Sequence, residues 1–269
     1  MNRNAGFSTA DLALARRLEE AEAANAFHIG RAATDGNVHV EAICDGCAIF
    51  AGVGSPLTHA MGIGMAGPVT DEEFDRLEEF FRERGSPSLI DLCPMADMTV
   101  IENVTRRGYK VLEFNNLLIR RVDPADAKWV CPEEVEITPV EEGEPREWCE
   151  LLVKGFSNGA EPAQDMVDMV MSLPSGGQSL FAHVLGEAVG TAGMAMHGGV
   201  ALLFADSTLP EARGRGVQQA LIRERLKMAA EGGCEWVMAC VLPGTGSHRN
   251  YERCGFDLFY MRVNVILDL

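Results

Sequence analysis

One order of elements occurs twice along this chain, and that repeat limits the fold more than any single motif. A helix-patterned run at 71–84, an apolar strand at 88–93 and the pair Gly108-Tyr109 recur as a helix at 217–231, a strand at 236–241 and Gly255-Phe256. Such a period predicts a duplicated supersecondary unit. In the first copy two strand runs, 38–44 and 47–53, flank the turn pair Asp45-Gly46, and a third run spans 57–65. Thr70 with Glu73 three residues on forms a capping-box signature for the helix at 71–84, and Gly85 ends it. A helix at 97–107 and a strand at 110–120 complete this half. The second copy reads as a strand at 135–139, helices at 144–156 and 162–172, and strands at 180–185, 188–197 and 200–205. The helix at 217–231 stops at Gly232-Gly233. It is followed by the strand at 236–241, a short helix at 247–253 and one or two strands over 256–267. Pro, Asp and Glu cluster at 124–134, which places a boundary there and divides the chain into domains 1–124 and 125–269. The class is α/β (an α+β mixed sheet), each half a mostly antiparallel mixed sheet flanked by helices; one continuous mixed sheet is the alternative. An amphipathic helix at 9–24, capped by Ser8 or Thr9, precedes the first half.

The strand–turn–helix segment at 205–221 carries the most specific chemistry. Gly214 and Gly216 lie inside a basic turn between an apolar strand and a helix. Such a turn aims main-chain N–H groups at one point, and a helix N-terminus favours an anion there, so a phosphate or pyrophosphate suits it. Arg213 and Arg215 add charge that persists at any working pH. The equivalent stretch of the first half, 65–73, has no basic residue and carries three acids, which would repel the same ligand. Net charge is −17 with a pI of about 4.7, and no basic stripe is visible, so a nucleic-acid partner is excluded and the isolated Arg-Gly pairs are not an RG patch. The acid balance suits solubility or the approach of a cationic small molecule. No apolar run is long enough to cross a membrane and no signal-peptide core opens the chain, so no membrane partner is expected. Eight cysteines are too sparse for a disulfide scaffold and fit a reducing cytoplasm. Cys44 and Cys47 read as flanks of a hairpin turn rather than as a metal or redox pair, and no metal is expected.

At these residues the second half, about 135–267, resembles the GNAT superfamily of acyl-CoA-dependent N-acyltransferases, and the repeat makes the whole a tandem GNAT with a degenerate first half. The segment Arg213-Gly214-Arg215-Gly216-Val217-Gln218 is similar to the family's pyrophosphate loop, with Gln218 where a small residue is usual. Tyr251-Glu252-Arg253-Cys254-Gly255-Phe256 is similar to its C-terminal helix, whose tyrosine protonates the leaving thiolate. The resemblance implies that acetyl-CoA is held by Ser207 and Thr208 at the strand end, by Arg213 to Gln218, and by Ser247 or Asn250 in place of an asparagine that Gly244 replaces. It implies that Tyr251 is the general acid. Asp206, near the loop, is either the base or a turn or cap residue. His183 and His197 lie in or beside strands and read as structural, and Cys254 as a small buried residue. Arg223, Arg225 and Lys227 read as a solvated helix face from which one cation could reach the 3′-phosphate. Met166, Met169 and Met171 read as core or as a flexible lid. The expected reaction is direct transfer of acetyl to the primary amine of a small molecule, by a monomer or homodimer; the alternative is a non-catalytic CoA or acyl-CoA sensor.

Overall fold

A computed structural model describes residues 11–33, 36–141 and 144–268. In chain order the elements are α1 (Leu12–Ala32), β1 (His39–Ile43), β2 (Gly46–Phe50), β3 (His59–Met61), α2 (Asp71–Arg82), β4 (Ser88–Leu92), α3 (Met98–Arg107) and β5 (Lys110–Arg121). They continue with β6 (Glu136–Pro139), α4 (Pro145–Phe156), α5 (Gln164–Val170), β7 (Gln178–Val184), β8 (Glu187–His197), β9 (Val200–Thr208), α6 (Val217–Glu231), β10 (Trp236–Val241), α7 (Gly246–Arg253) and β11 (Asp257–Leu267). The chain divides into two compact units: residues 1–117 with 258–269, and residues 118–257. The sequence boundary at 124/125 differs from this division at both ends, because the last strand belongs by its contacts to the first unit.

The two units share one pairing rule. In the first, β1–β2 and β2–β3 are antiparallel and β3–β4 is parallel. In the second, β6–β7, β7–β8 and β8–β9 are antiparallel and β9–β10 is parallel. A parallel step needs a crossover, and α2 and α6 supply it in the two units. The repeated helix–strand pattern of the sequence is this crossover seen twice.

Several local expectations shift. The helix at the start runs from Leu12 to Ala32 and is capped by Asp11, whose side chain accepts from Leu14 N at 3.0 Å. Ser8 and Thr9 lie outside the described residues. The first hairpin turns on Cys44 and Asp45, both at positive φ, one residue before the expected pair. The run at 57–65 keeps only β3, and the run at 256–267 is one strand.

In the first unit one side of β11 buries Phe259 and Val265, and the other is held by polar side chains. Residues two apart share a side of a strand, and Tyr260, Arg262 and Asn264 are all buried. Tyr260 OH donates to Glu19 Oε1 at 2.6 Å, and Arg262 donates to the same oxygen through Nε at 3.1 Å and Nη2 at 2.8 Å. Arg262 also pairs with Glu22, and Gly62 N donates to Glu19 Oε2 at 3.1 Å. Asn264 Nδ2 donates to Asp91 of β4, which also holds His59 Nδ1 at 2.9 Å. A one-residue slip of β11 would break every bond that Tyr260, Arg262 and Asn264 make here, so they fix its register.

Candidate active site

The second unit buries two apolar groups. One places Ile222, Leu226 and Ala229 of α6 against Ala201, Leu203, Val237 and Phe256; the other places Val217 and Leu221 against Leu180, Ala182 and Val184. This packing anchors α6 behind β9, so the turn leading into α6 sits at the C-terminal end of β9. Gly216 (φ 81°) and Gly214 (φ 76°) both have positive φ, and a Cβ built at either meets no atom within 4 Å. No side chain caps α6. Among the described residues the amides of Gly214, Arg215, Gly216, Val217 and Gln218 have no acceptor. Five donors around an open, uncapped helix start form a cradle that fits a diphosphate. The N-terminus of α2 is the opposite case. Thr70 Oγ1 accepts from Glu73 N at 3.2 Å and Glu73 Oε2 accepts from Thr70 N at 2.8 Å, so the first unit satisfies its own helix start with a carboxylate.

Beside this turn β9 separates from β10. Their parallel ladder ends at Leu203 opposite Ala239, while β9 continues to Thr208 paired with β8 alone. One edge of β9 from Phe204 onward therefore faces no strand. A bulge lies in this stretch: Thr191 pairs with Ser207 and Gly193 with Phe204, leaving Ala205 and Asp206 opposite one residue. Ala205 has φ 55°, and Thr191 Oγ1 donates to its carbonyl at 3.1 Å. The extra residue changes the phase of the strand. Ala201 and Leu203 face α6, and Asp206 rather than Ala205 follows them.

Asp206 is thus neither a turn nor a cap residue. Its carboxylate forms an ion pair with Arg225, which donates to Oδ2 at 3.1 Å and also bonds Oδ1. Arg225 is fully buried and donates further to the carbonyls of Leu221 at 3.1 Å and Gly193 at 3.0 Å. The expectation that it belongs to a solvated face is wrong: it stands one turn from Leu221 and from Ala229, on the core stripe of α6. Tyr251 OH donates to Asp206 Oδ2 at 2.7 Å. Its ring is buried edge-on against Phe256. Burial and the charge of Asp206 push its hydroxyl well above the ordinary range, and Arg225 offsets this only in part.

The remaining candidates form a frame around the turn. Arg213 faces inward, donating to Thr208 O at 3.1 Å, Asn158 Oδ1 at 2.7 Å and Gly155 O at 3.0 Å, so it clamps the strand end to the end of α4. Gln218 Nε2 donates to Ser247 Oγ at 2.8 Å, Asn250 Nδ2 donates to Gln218 Oε1 at 2.8 Å, and Gln219 Nε2 reaches Asn250 Oδ1 at 3.3 Å. These bonds tie α6 to α7 and absorb the polarity of Gln218. The buried Ser207 hydroxyl has no partner and lies against Gly155. His183 meets Thr138 at 2.9 Å, at the opposite end of the unit's strand order, and is not part of this group. Cys254 is buried and its thiol is pushed up by burial. Depressions of about 590 and 360 Å³ open near β6 and β7, and neither is lined by the turn, Asp206 or Tyr251.

The fit of α4 on β9 gives a direct test. A Cβ on Gly155 would lie 1.7 Å from Ser207 Oγ and 3.4 Å from Thr208 N. Gly155→Ala is expected to lower stability by about 1–3 kcal/mol, read by denaturant unfolding. Ser207→Ala in the same chain removes the obstructing oxygen and is expected to recover part of the loss, because the Cβ of residue 207 still lies 3.1 Å from the new methyl.

Comparison with known families supplies the decisive match. Residues 146–256 match the family described as Acetyltransferase (GNAT) family, a span that contains the open turn, the bulge and Tyr251. This span of the second unit matches a GNAT domain. The fold as a whole is similar to a GCN5-related N-acetyltransferase from Kribbella flavida, at 17% identity over 94% of this chain and 95% of that one, with a TM-score of 0.68. It is also similar to a GCN5-related N-acetyltransferase from Sphaerobacter thermophilus (18% identity, 72% of this chain and 64% of that one, TM-score 0.52). A third likeness is to a tandem GNAT protein from the clavulanic acid biosynthesis pathway (12% identity, 72% and 68% coverage, TM-score 0.53). No curated protein sequence matches. No described helix is long and apolar enough to cross a membrane.

Proposed function

We propose that the second unit transfers an acetyl group from acetyl-CoA to the primary amine of a small molecule, by direct attack of the amine on the thioester. The observation that carries this reading is the uncapped start of α6, with its free amides, next to a strand edge that faces no neighbouring strand. The amides of Gly214 to Gln218 would hold the diphosphate, and Arg215 adds charge at that point. The open edge of β9 beyond Leu203 has the main-chain groups to hold an extended pantetheine, with Ser207 and Thr208 at its end. Acyl transfer also needs a group that polarises the thioester carbonyl, and a main-chain donor there contributes a few kcal/mol to the barrier. Tyr251 supplies the proton for the departing thiolate. Asp206 shares that hydroxyl.

Tyr251→Phe removes one oxygen from a buried ring. It is expected to lower kcat by about a hundredfold or more while leaving CoA affinity within about twofold. Turnover is followed by thiol release across a panel of primary amines and affinity by calorimetry. Equal loss of both would mean that Tyr251 only builds the pocket. CoA binding without turnover on any amine would favour a non-catalytic acyl-CoA sensor.

A further inference from the structure

Tyr251, Asp206 and Arg225 come from α7, the bulge of β9 and the middle of α6; Tyr251 and Arg225 are buried and the Asp206 side chain is 10% exposed. A polar group removed from water needs a partner, and a buried charge needs a counter-charge. The three groups satisfy one another in a fixed order. Arg225 presents two nitrogens to the two oxygens of Asp206, and Oδ2 also accepts from Tyr251. The guanidinium is itself held by the carbonyls of Leu221, Gly193 and Phe204, so it has no freedom to follow a moving proton.

We propose that Arg225 and Asp206 are a positioning pair that fixes the hydroxyl proton of Tyr251, and that Asp206 is not the group that deprotonates the amine. This rests on the transferase reading for its consequence in catalysis and on the geometry alone for the arrangement. A carboxylate shared by a guanidinium and a phenol has three of its four acceptor sites engaged, which leaves it little room to reach an amine and makes it a strong orienter of both donors. Tyr251 in turn remains in its proton-bearing form, and the hydroxyl gives up its bond to Asp206 Oδ2 when it protonates the thiolate. The charged groups that bear on the hydroxyl are Asp206 on β9 and Arg225 on α6. Arg120 and Arg223 bear instead on Cys254, three residues along. Burial and the Asp206 charge hold the tyrosine above its ordinary range, so removing that charge moves its titration down.

The chain has only three tyrosines, Tyr109, Tyr251 and Tyr260, so tyrosinate absorbance can be followed site by site. In Asp206→Asn one tyrosine is expected to titrate at least about one pH unit lower than in the parent, and the signal is expected to vanish in Asp206→Asn with Tyr251→Phe. No substrate is needed, so this judges the pair even if every amine fails as acceptor. An unmoved tyrosine overturns the proposal. Where a transferable amine is found, the alkaline limb of the kcat profile is expected to move down with the tyrosine, with KM for acetyl-CoA within about twofold. Loss of the acidic limb in Asp206→Asn would make Asp206 the base and overturn the proposal. Should Asp206→Asn fail to fold, ring-labelled tyrosine NMR of the parent decides. The Tyr251 resonance, identified by its absence in Tyr251→Phe, must stay neutral beyond the ordinary tyrosine range, and ionisation within that range overturns the proposal.

Discussion

Replacing Gly216 with aspartate is expected to weaken CoA binding by about a hundredfold or more, with little change in thermal stability. The position has φ 81°, where an L residue carries strain, but aspartate is among the residues that tolerate it best. A Cβ there meets nothing within 4 Å, so the fold has room for the side chain. The loss comes from a carboxylate placed at the open start of α6, where the free amides and the helix dipole favour an anion of their own. The new carboxylate would cap those amides, as Thr70 Oγ1 already does for Glu73 N in α2. Calorimetric titration with CoA, beside a melting curve, checks both parts. Unchanged binding heat would remove the turn from the ligand site.

Arg262→Met is expected to destabilise the protein by about 3–5 kcal/mol, the largest stability effect predicted for a single substitution here. The side chain is 1% exposed and donates to Glu19 while pairing with Glu22, so its removal takes a cation away from both acids, one of them buried. The deficit has a pH signature. Burial already raises the Glu19 carboxyl, Glu22 raises it further, and Arg262 and Tyr260 oppose this. Without Arg262 the folded-state value rises again, so the folded protein binds a proton that the unfolded chain does not. Stability of the variant therefore increases as pH falls toward the ordinary glutamate range, and the gap to the parent narrows. Urea unfolding at neutral and acidic pH measures it. A gap that stayed constant on acidification would show that the loss is packing and not charge.

The sequence carried the architecture further than the site. Helix boundaries at α2 and α6 followed from Thr70, Glu73 and the glycine stops, because caps are local and a few residues specify them. The open turn was legible for the same reason. Asp206 was not. Simple alternation puts it on the side of Leu202 and Phe204, and only the bulge at Ala205 turns it toward α6. A bulge depends on the partner strand, whose register no local pattern reveals. Arg225 was misread because charges on a helix are normally solvated. Its spacing from Leu221 and Ala229 was the available signal, since it repeats the core stripe at i and i+4. The boundary near 124 rested on composition. Composition does not show that β11, at the far end of the chain, pairs with β4.

That last pairing has a consequence for the order of events during synthesis. Glu19 leaves the ribosome 243 positions before its cation. Domains otherwise tend to mature from the amino end as they emerge. Here the leading unit is held back: until the strand bearing Tyr260, Arg262 and Asn264 arrives, α1 has an acid that it cannot bury and β4 has an open edge. The trailing unit, whose residues run without interruption from 118 to 257, can close first, so the half translated later is the half that finishes earlier.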